Sequence, residues 1–372
     1  MQFCTILLFN VTMGNTRCLL TLLFMINTVL AQSNNQNSCI NPNNENGICL
    51  NIKQCPALLS ILQNNRKNNT AIAFLRSSMC GNEGRDPKVC CPRNPVSFGG
   101  SVTSSKLPSQ STCGVSYGNV NKIVGGWPAE LDDWPWMVAL GYHGLNQPKT
   151  ETPQWRCGGS LISDRYVVTA AHCLVKIGPV EVSVARLGEL DLDPNTDDKA
   201  EPIDIPIQKI ITHQSYNSKT HANDIALLKL DHSVQFNKHI QPICLPITPT
   251  IRANKFVKYV PFIAGWGTTA FYGPTSTALM SAAVPIIDNA RCNRSYTGHS
   301  AVIDDSVLCA GTGEADSCQG DSGGPMMWPN GKQYYLLGVV SFGFRCAEPE
   351  FPGVYTRVSH FIEWIIENMN NS

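Results

Sequence analysis

Sixteen cysteines constrain this 372-residue chain more than any other feature. Six of them lie in one segment that is too short to be stabilised by an apolar core alone: Cys39, Cys49, Cys55, Cys80, Cys90 and Cys91. Six cysteines allow fifteen pairings, and spacing does not choose among them. Adjacent residues of an extended chain point in opposite directions, so we expect Cys90 and Cys91 to bond different partners. Residues 39–91 are therefore predicted to form a small disulfide-stapled module.

An N-terminal apolar run indicates where these cysteines are oxidised. Residues 19–31, LLTLLFMINTVLA, follow Arg17 and precede a stretch rich in Gln, Asn and Ser, which is the layout of a cleaved secretory signal. The run is too short to span a bilayer. Residues 1–31 are predicted to be a signal peptide that begins at Met1 or Met13, and the product to be secreted. Without Cys4 and Cys18, fourteen cysteines remain for seven disulfides, and the absence of paired C-x-x-C motifs disfavours zinc as their partner.

Charge excludes two classes of partner. The formal net charge is zero, and no run of Lys and Arg occurs. Nucleic acid and anionic membranes both attract clustered basic residues, so neither is expected to bind.

The composition of the chain changes twice after residue 91. Residues 92–112 are rich in Ser, Pro and Gly, which predicts a linker. From residue 123 onward, short apolar or alternating runs are separated by Gly, Pro and Asn, which predicts an all-β barrel or sandwich. The last segment differs because its apolar residues recur at helical spacing, and these predict a C-terminal amphipathic helix: Val358, Phe361, Ile362, Ile365 and Met369.

Three short motifs carry candidate chemistry. In DSCQGDSGGP, residues 316–325, glycines allow a loop to present Ser322 and to aim the amides of Gly320 and Ser322 at one point, an oxyanion hole. In VVTAAHC, residues 167–173, His172 ends an apolar run, where a lone histidine is more often a core residue than a catalyst. In ANDIALLKL, residues 222–230, Asp224 enters an apolar strand and needs a partner there.

Together, and in the order His, Asp, Ser, these motifs resemble the trypsin-like serine proteases. The resemblance extends to IVGG at 123–126, AGWG at 264–267, VSFG at 340–343 and PGVYTRV at 352–358. It implies two six-stranded β-barrels of the trypsin-like type with a C-terminal helix. It also implies a peptidase that needs no catalytic cofactor, in which Ser322 is the nucleophile, His172 the general base and Asp224 the residue that orients the imidazole.

The same resemblance implies a preference for Arg and Lys. Asp316 corresponds to the acid at the bottom of the primary pocket, and Gly343 and Gly353 to wall positions that keep the pocket open. The backbone of Ser341 to Gly343 is expected to pair with the substrate. Arg345 departs from the pattern of pancreatic trypsins, which have glycine there; on the rim it narrows the substrate range, and pointing inward it repels cationic residues.

Activation is implied by the position of IVGG. Cleavage after Lys122 frees the amine of Ile123, which in this family forms an ion pair with the acid before the nucleophile, here Asp321. The family also implies four disulfides, of which the last tethers the N-terminal piece after cleavage: Cys157–Cys173, Cys292–Cys309, Cys318–Cys346 and Cys113–Cys244.

The N-terminal cysteines resemble those of the clip domain of arthropod serine proteases. Its pairing implies Cys39–Cys90, Cys49–Cys80 and Cys55–Cys91, and a docking surface for other proteins. A predicted helix within PALLSILQNN, residues 56–65, has an apolar side that either lines a groove or fills a small core. The expected organisation is a signal over 1–31, a clip domain over 39–91, a linker and activation segment over 92–122 and a peptidase over 123–372.

An acidic loop and three sequons complete the candidate sites. Glu189, Asp191 and Asp198 match the calcium loop of many trypsins, and the alternative is a solvated acidic loop. Glycosylation is expected at Asn68 and Asn293, and less so at Asn370 near the C-terminus.

The combined resemblance implies a secreted zymogen acting on another proenzyme in a cascade of the prophenoloxidase, clotting or Toll type. An upstream activating protease and a serpin-type inhibitor are the other expected partners. Two alternatives stay open: a venom protease that acts on host clotting or phenoloxidase precursors, and a non-enzymatic clip-domain cofactor. The intact Ser322 disfavours the second, because such homologues usually lose the nucleophile.

Overall fold

The computed structural model describes residues 38–40, 46–55, 58–59, 62, 72, 75–84, 86–92, 106–118, 126–175, 178–268, 273–311, 313, 317–344, 348 and 350–372. The chain divides into two compact units, residues 1–100 and 101–372. The predicted signal peptide lies outside the described residues. No helix in the described ranges is long and apolar enough to cross a membrane.

The described residues of the first unit form a four-stranded antiparallel sheet. Its strands are β1 (Ser38–Ile40), β2 (Asn46–Asn51), β3 (Met79–Glu83) and β4 (Asp86–Pro92), in the order β1-β2-β4-β3. Three disulfides staple it, and they are the pairs that the clip resemblance implied: Cys39–Cys90, Cys49–Cys80 and Cys55–Cys91. Leu58, from the predicted helix, is buried with Ile52, Leu75 and Val89, so this leucine fills a small core.

The second unit contains a closed barrel of six antiparallel strands, in the order β10-β11-β8-β7-β6-β9. The strands are β6 (Met137–Gly144), β7 (Gln154–Leu161), β8 (Tyr166–Thr169), β9 (Val180–Leu187), β10 (Ile203–Thr212) and β11 (Ala226–Leu230). Their buried residues are mostly aliphatic, as β-branched and apolar runs at this spacing predict. A 3₁₀ turn, Ala171–Cys173, directly follows β8.

The second sheet of this unit has eight strands rather than the six expected, in the order β14-β15-β18-β17-β16-β12-β13-β5. They are β5 (Gly126–Pro128), β12 (Phe262–Gly265), β13 (Met280–Ala283), β14 (Ile286–Ile287), β15 (Val307–Ala310), β16 (Pro325–Asn330), β17 (Gln333–Phe342) and β18 (Gly353–Arg357). Only Val284 and Pro285 separate β13 from β14. Because proline has no N–H to donate, it divides one long strand into two, and this single segment contributes to both sides of a strongly curved sheet. The all-β fold is confirmed; β5 is the added strand.

Aromatic side chains join the two sheets. Trp134, which precedes β6, packs against Phe262 of β12 at 5.6 Å between ring centroids and against Tyr334 of β17 at 5.3 Å. The indole N–H of Trp134 donates to Ser281 Oγ at 2.6 Å, so the buried ring leaves no polar group unpaired. Large rings from both sheets therefore close the space between them.

Among the described residues of the second unit, three short helices lie around these sheets: Pro249–Arg252, Asn289–Ser295 and the C-terminal Ile362–Asn370. The C-terminal helix buries Ile362, Ile365, Ile366 and Met369, which confirms the predicted apolar stripe as core. Residues 106–118, from the predicted linker and activation segment, belong to the second unit, where Lys106 Nζ donates to the carbonyls of Met369 and Ser372.

The second unit contains three disulfides among its described residues: Cys113–Cys244, Cys157–Cys173 and Cys292–Cys309. Cys318 is also disulfide-bonded. The partner implied for it, Cys346, lies outside the described residues.

Candidate active site

Asp224 is completely buried at the junction of the two sheets. Its Oδ2 accepts hydrogen bonds from His172 Nδ1 at 2.7 Å and from Ser341 Oγ at 2.5 Å, and its Oδ1 accepts from the backbone N–H of His172 at 2.9 Å. An ionised carboxylate only accepts, so Nδ1 of His172 carries the proton and Nε2 keeps its lone pair. That is the tautomer a general base requires.

The donors around Asp224 decide its charge. Burial alone would raise the pKa of Asp224, but the hydrogen bonds from His172 and Ser341 and the attraction of the imidazole outweigh it, so the pKa lies below its ordinary value. Thr356 Oγ1 donates to the main-chain carbonyl of Asp224 at 2.7 Å, which fixes the backbone as well. The carboxylate is therefore ionised and held in one orientation at neutral pH.

Ser322 lies in a tight loop packed against the first barrel. The backbone N–H of Gly158 donates to the carbonyl of Ser322 at 2.8 Å. Gly158 is next to Cys157, whose disulfide partner Cys173 follows His172, so these contacts bring the Ser322 backbone to the edge that carries His172. The next residue, Gly323, has φ +78°, and a Cβ there would overlap Thr169, so only glycine fits.

The two amides of the predicted oxyanion hole flank Asp321. Within the described ranges, neither the N–H of Gly320 nor that of Ser322 has a hydrogen-bond acceptor. Gly320 has φ +101°, a conformation that favours glycine. Two amide donors without acceptors beside a serine are suited to bind an oxygen that becomes negative.

Part of the predicted specificity pocket lies within the described residues. Gly343 follows β17 and Gly353 begins β18, and a Cβ on Gly343 would lie 3.9 Å from the Gly353 Cα, so the two glycines face each other. Ser341, predicted to contribute its backbone, also contributes its hydroxyl to Asp224. Asp316 and Arg345 lie outside the described residues.

Asp321, the predicted partner of a new N-terminus, is held by backbone amides. Its Oδ1 accepts from the N–H of Gly267 at 2.9 Å and its Oδ2 from that of Cys318 at 2.8 Å. Burial raises the pKa of Asp321 to about 6, against the lowering effect of these two amides. A Cβ on Gly267 would lie 2.6 Å from Asp321 Oδ1, so a glycine is needed to admit the carboxylate. Lys122 and Ile123 lie outside the described residues.

The predicted calcium loop is internally paired. Glu189 accepts from Arg186 at 3.2 Å and from the N–H of Leu190 at 3.0 Å. Asp198 accepts from the N–H groups of Asp191 and Ala200. Within the described residues, Glu189, Asp191 and Asp198 do not each bring a ligand atom within 4.8 Å of the other two. The guanidinium of Arg186 pairs with Glu189 and compensates part of the negative charge of the loop, and the calcium site stays a prediction.

Sequence reasoning missed three side chains around Asp224. The hydroxyls of Ser341 and Thr356 lie in VSFG and PGVYTRV, which were noted for their backbone or as family motifs only. His221, three residues before Asp224, packs its ring 6.1 Å from that of His172. Burial lowers the pKa of His221. The proximity of a second histidine to Asp224 in the sequence is the signal that could have found it.

Of the predicted glycosylation sites, Asn293 lies exposed in the helix Asn289–Ser295, and Asn370, at the end of the C-terminal helix, is also exposed. Asn68 lies outside the described residues.

Comparison with known proteins places both parts of the chain in families. The family "Trypsin" matches residues 123–365, and the family "Regulatory CLIP domain of proteinases" matches residues 39–91. Similar proteins include the venom serine protease Bi-VSP of Bombus ignitus, 44% identical over 87% of this chain and 90% of the relative. They also include the proclotting enzyme of Tachypleus tridentatus, 39% identical over 89% of each chain, and phenoloxidase-activating factor 3 of Holotrichia diomphalia, 37% identical over 90% and 94%.

Replacing Ser341 by alanine is expected to lower kcat about tenfold or more on an Arg amide substrate. The change removes one donor from a buried carboxylate, and a hydrogen bond to a charged group contributes about 1.5–3 kcal/mol. Ser183→Ala is the matched control, because Ser183 is also buried and hydrogen-bonded, but to His143 and the carbonyl of Gly141 rather than to a residue of the triad. Steady-state kinetics of both variants test this prediction. A wild-type kcat for Ser341→Ala would contradict the role of its hydroxyl in holding Asp224.

Asp321 is expected to make the uncut chain less stable as pH rises from about 4 to about 6. Its folded pKa is raised, so between the unfolded value and about 6 the native state binds more protons than the unfolded state, and stability falls with rising pH. In thermal melts across this range, the Tm of wild type should therefore fall relative to the Tm of Asp321→Asn as pH rises. Parallel profiles would show that Asp321 does not titrate in this window.

Proposed function

The chain belongs to the clip-domain branch of the trypsin-like serine proteases, and we propose that it cleaves proteins after Arg or Lys as one step of an extracellular cascade. The observation that carries the catalytic part is the fully buried Asp224, ionised and bonded to His172 on the edge that also carries Ser322. The bonded pair of Asp224 and His172 does not itself require a glycine-rich loop that presents a serine. Peptide hydrolysis requires such a loop, because it supplies the nucleophile.

The geometry supports a two-step reaction. Ser322 Oγ attacks the scissile carbonyl carbon while Nε2 of His172 takes the hydroxyl proton, and Asp224 stabilises the imidazolium that forms. The amides of Gly320 and Ser322 bind the negative oxygen. His172 then gives the proton to the leaving amine, and water hydrolyses the acyl-enzyme by the same route. The chain needs no catalytic cofactor, and calcium has no part in the proposal.

Specificity for Arg and Lys rests on Asp316. An unpaired carboxylate at the bottom of a narrow pocket is costly with any neutral side chain and is compensated by a cation. The facing glycines Gly343 and Gly353 support this, because neither places a side chain in the space between them.

Activation is proposed to follow cleavage after Lys122. Asp321 supports this, because it is buried, and within the described residues it has amide donors but no cationic partner. An inserted Ile123 amine would compensate the buried charge and lower the pKa of Asp321, which ties the loop holding Gly320 and Ser322 to the cut. The Cys113–Cys244 disulfide would keep residues before the cut attached to the peptidase.

The substrate is proposed to be another secreted proenzyme. Relatives along nearly the whole chain are named as a proclotting enzyme and a phenoloxidase-activating factor, which supports a place in such a cascade. The clip domain would dock partners, with an upstream protease as activator and a serpin-type protein as inhibitor. The 44% identity to a bumblebee venom serine protease favours a second candidate, a venom enzyme acting on host clotting or phenoloxidase precursors. Expression in the venom gland rather than in fat body or haemocytes distinguishes the two.

Ser322→Ala in the activated enzyme is expected to abolish cleavage of Arg and Lys amides, since it removes the nucleophile. Ser317→Ala, in the same loop, keeps Ser322 and is the control. Asp316→Ser should instead retain slow hydrolysis while losing the preference for Arg and Lys over apolar residues. A substrate-position profile of the three variants checks both roles, and an unchanged profile for Asp316→Ser would refute the specificity assignment.

Lys122→Gln is expected to give a chain that stays intact and inactive when treated with trypsin. Wild type should be cut at this bond, run as one band on a non-reducing gel and separate into two on a reducing gel. The second result follows from the Cys113–Cys244 bond. N-terminal sequencing of the product identifies the cut, and activity in uncut Lys122→Gln would show that the switch lies elsewhere.

A further inference from the structure

His221 is held against the catalytic pair by its loop. It lies in the connection between β10 and β11, where Asn217 and Ala222 form an isolated bridge. Its backbone has φ +53°, and that of Asn223 has φ +57°, a left-handed region that non-glycine residues seldom adopt. Strained backbone of this kind persists only where its surroundings fix it, and it concentrates at functional sites.

The ring of His221 is fixed between two others. It packs 4.9 Å from Phe342 at an interplanar angle of 30°, and 6.1 Å from His172 at 81°. Phe342 follows Ser341, the residue that donates to Asp224. The imidazole of His221 is therefore positioned by the same strands that position the triad.

One nitrogen of this ring has no partner among the residues that the structure describes. His221 Nδ1 is buried and accepts or donates no hydrogen bond there, whereas most buried polar side-chain atoms in folded proteins are paired. A ring nitrogen without a donor or acceptor, next to a second imidazole and an ionised carboxylate, has the chemistry of a metal ligand.

The three groups are close enough to share an ion. One nitrogen each of His172 and His221 and one oxygen of Asp224 all lie within 4.8 Å of one another. Ligand atoms at about 2.0–2.1 Å from tetrahedral zinc lie about 3.3 Å apart, so the side chains need to close by no more than about 1.5 Å. Two imidazoles and one carboxylate suit zinc, and the fourth position is left for water.

We propose that His172, His221 and Asp224 form a binding site for Zn²⁺, and that its occupation reversibly inhibits the protease. The inhibition rests on the proposed function, because a bound ion takes the lone pair of one ring nitrogen of His172. An ion on Nε2 occupies the lone pair that catalysis uses, and an ion on Nδ1 requires the ring proton to move from Nδ1 to Nε2. In either case Nε2 of His172 cannot accept the proton of Ser322. Free zinc in the surrounding fluid would then set the fraction of active enzyme, in addition to any protein inhibitor.

The test compares two histidine variants of the activated full-length enzyme in ZnCl₂ titrations with a chromogenic Arg amide. Each rate is divided by the rate of the same variant without metal. His221→Gln should raise the apparent inhibition constant about tenfold or more, because one of three ligands is lost. His232→Gln, at an exposed histidine, should leave it within about twofold of wild type. Chelation by EDTA should restore the activity of wild type, and MgCl₂ should not inhibit.

A binding measurement separates this proposal from the activity. Zinc binding to the full-length Ser322→Ala chain, followed by competition with a chromophoric chelator, should weaken about tenfold or more when His221→Gln is added. If the chain bound zinc through His221 but did not cleave Arg or Lys amides, the metal site would stand and the proposed function would fall. Equal zinc inhibition, or equal zinc affinity, with and without His221 would overturn the site.

Discussion

The hydrogen bonds to the carboxylate of Asp224 are the interactions on which the remainder of the active site depends. A charge with no exposed surface costs several kcal/mol unless donors replace the lost water. Those donors come from both sheets: His172 follows β8 of the first barrel, and Ser341 lies in β17 of the second. The site therefore exists only where the two sheets meet, and the aromatic contacts of Trp134, Phe262 and Tyr334 hold that junction closed.

Two carboxylates of the second unit illustrate opposite responses to burial. The pKa of Asp224 is lowered because two side chains and one amide donate to it, whereas that of Asp321 is raised to about 6 with amide donors alone. The first is complete as it stands, and the second lacks a cation within the described residues. The general base, His172, is thus already in place, whereas the loop that carries Ser322 holds the uncompensated Asp321. Such a site is suited to control by a new N-terminus, as proposed.

Much of this architecture could be predicted from the sequence, and the predictions that failed did so for local reasons. Strand-length apolar runs indicated an all-β fold, but Pro285 divides one strand and β5 adds another, which periodicity does not reveal. Spacing left the six cysteines of the first module open, and their pairing came from resemblance. The acidic loop matched a calcium site by composition, but its pairing with Arg186, which precedes it in the chain and reaches Glu189 and Asp204, was not predicted. Such pairing depends on the fold of β9 and β10, which no local pattern encodes.

The role of His221 could not be predicted from the sequence either. Its position three residues before Asp224 is plain in the sequence, but its inward orientation depends on a left-handed backbone in the β10–β11 connection and on the ring of Phe342 from the second sheet. One loop thus delivers both the acid that orients His172 and a second imidazole beside it. A metal ion bound by His221 in the proposed site would therefore also contact His172 and Asp224, because one ligand atom of each residue lies within 4.8 Å of the others. Inhibition through this loop needs no change of fold, only competition for the nitrogen that catalysis uses.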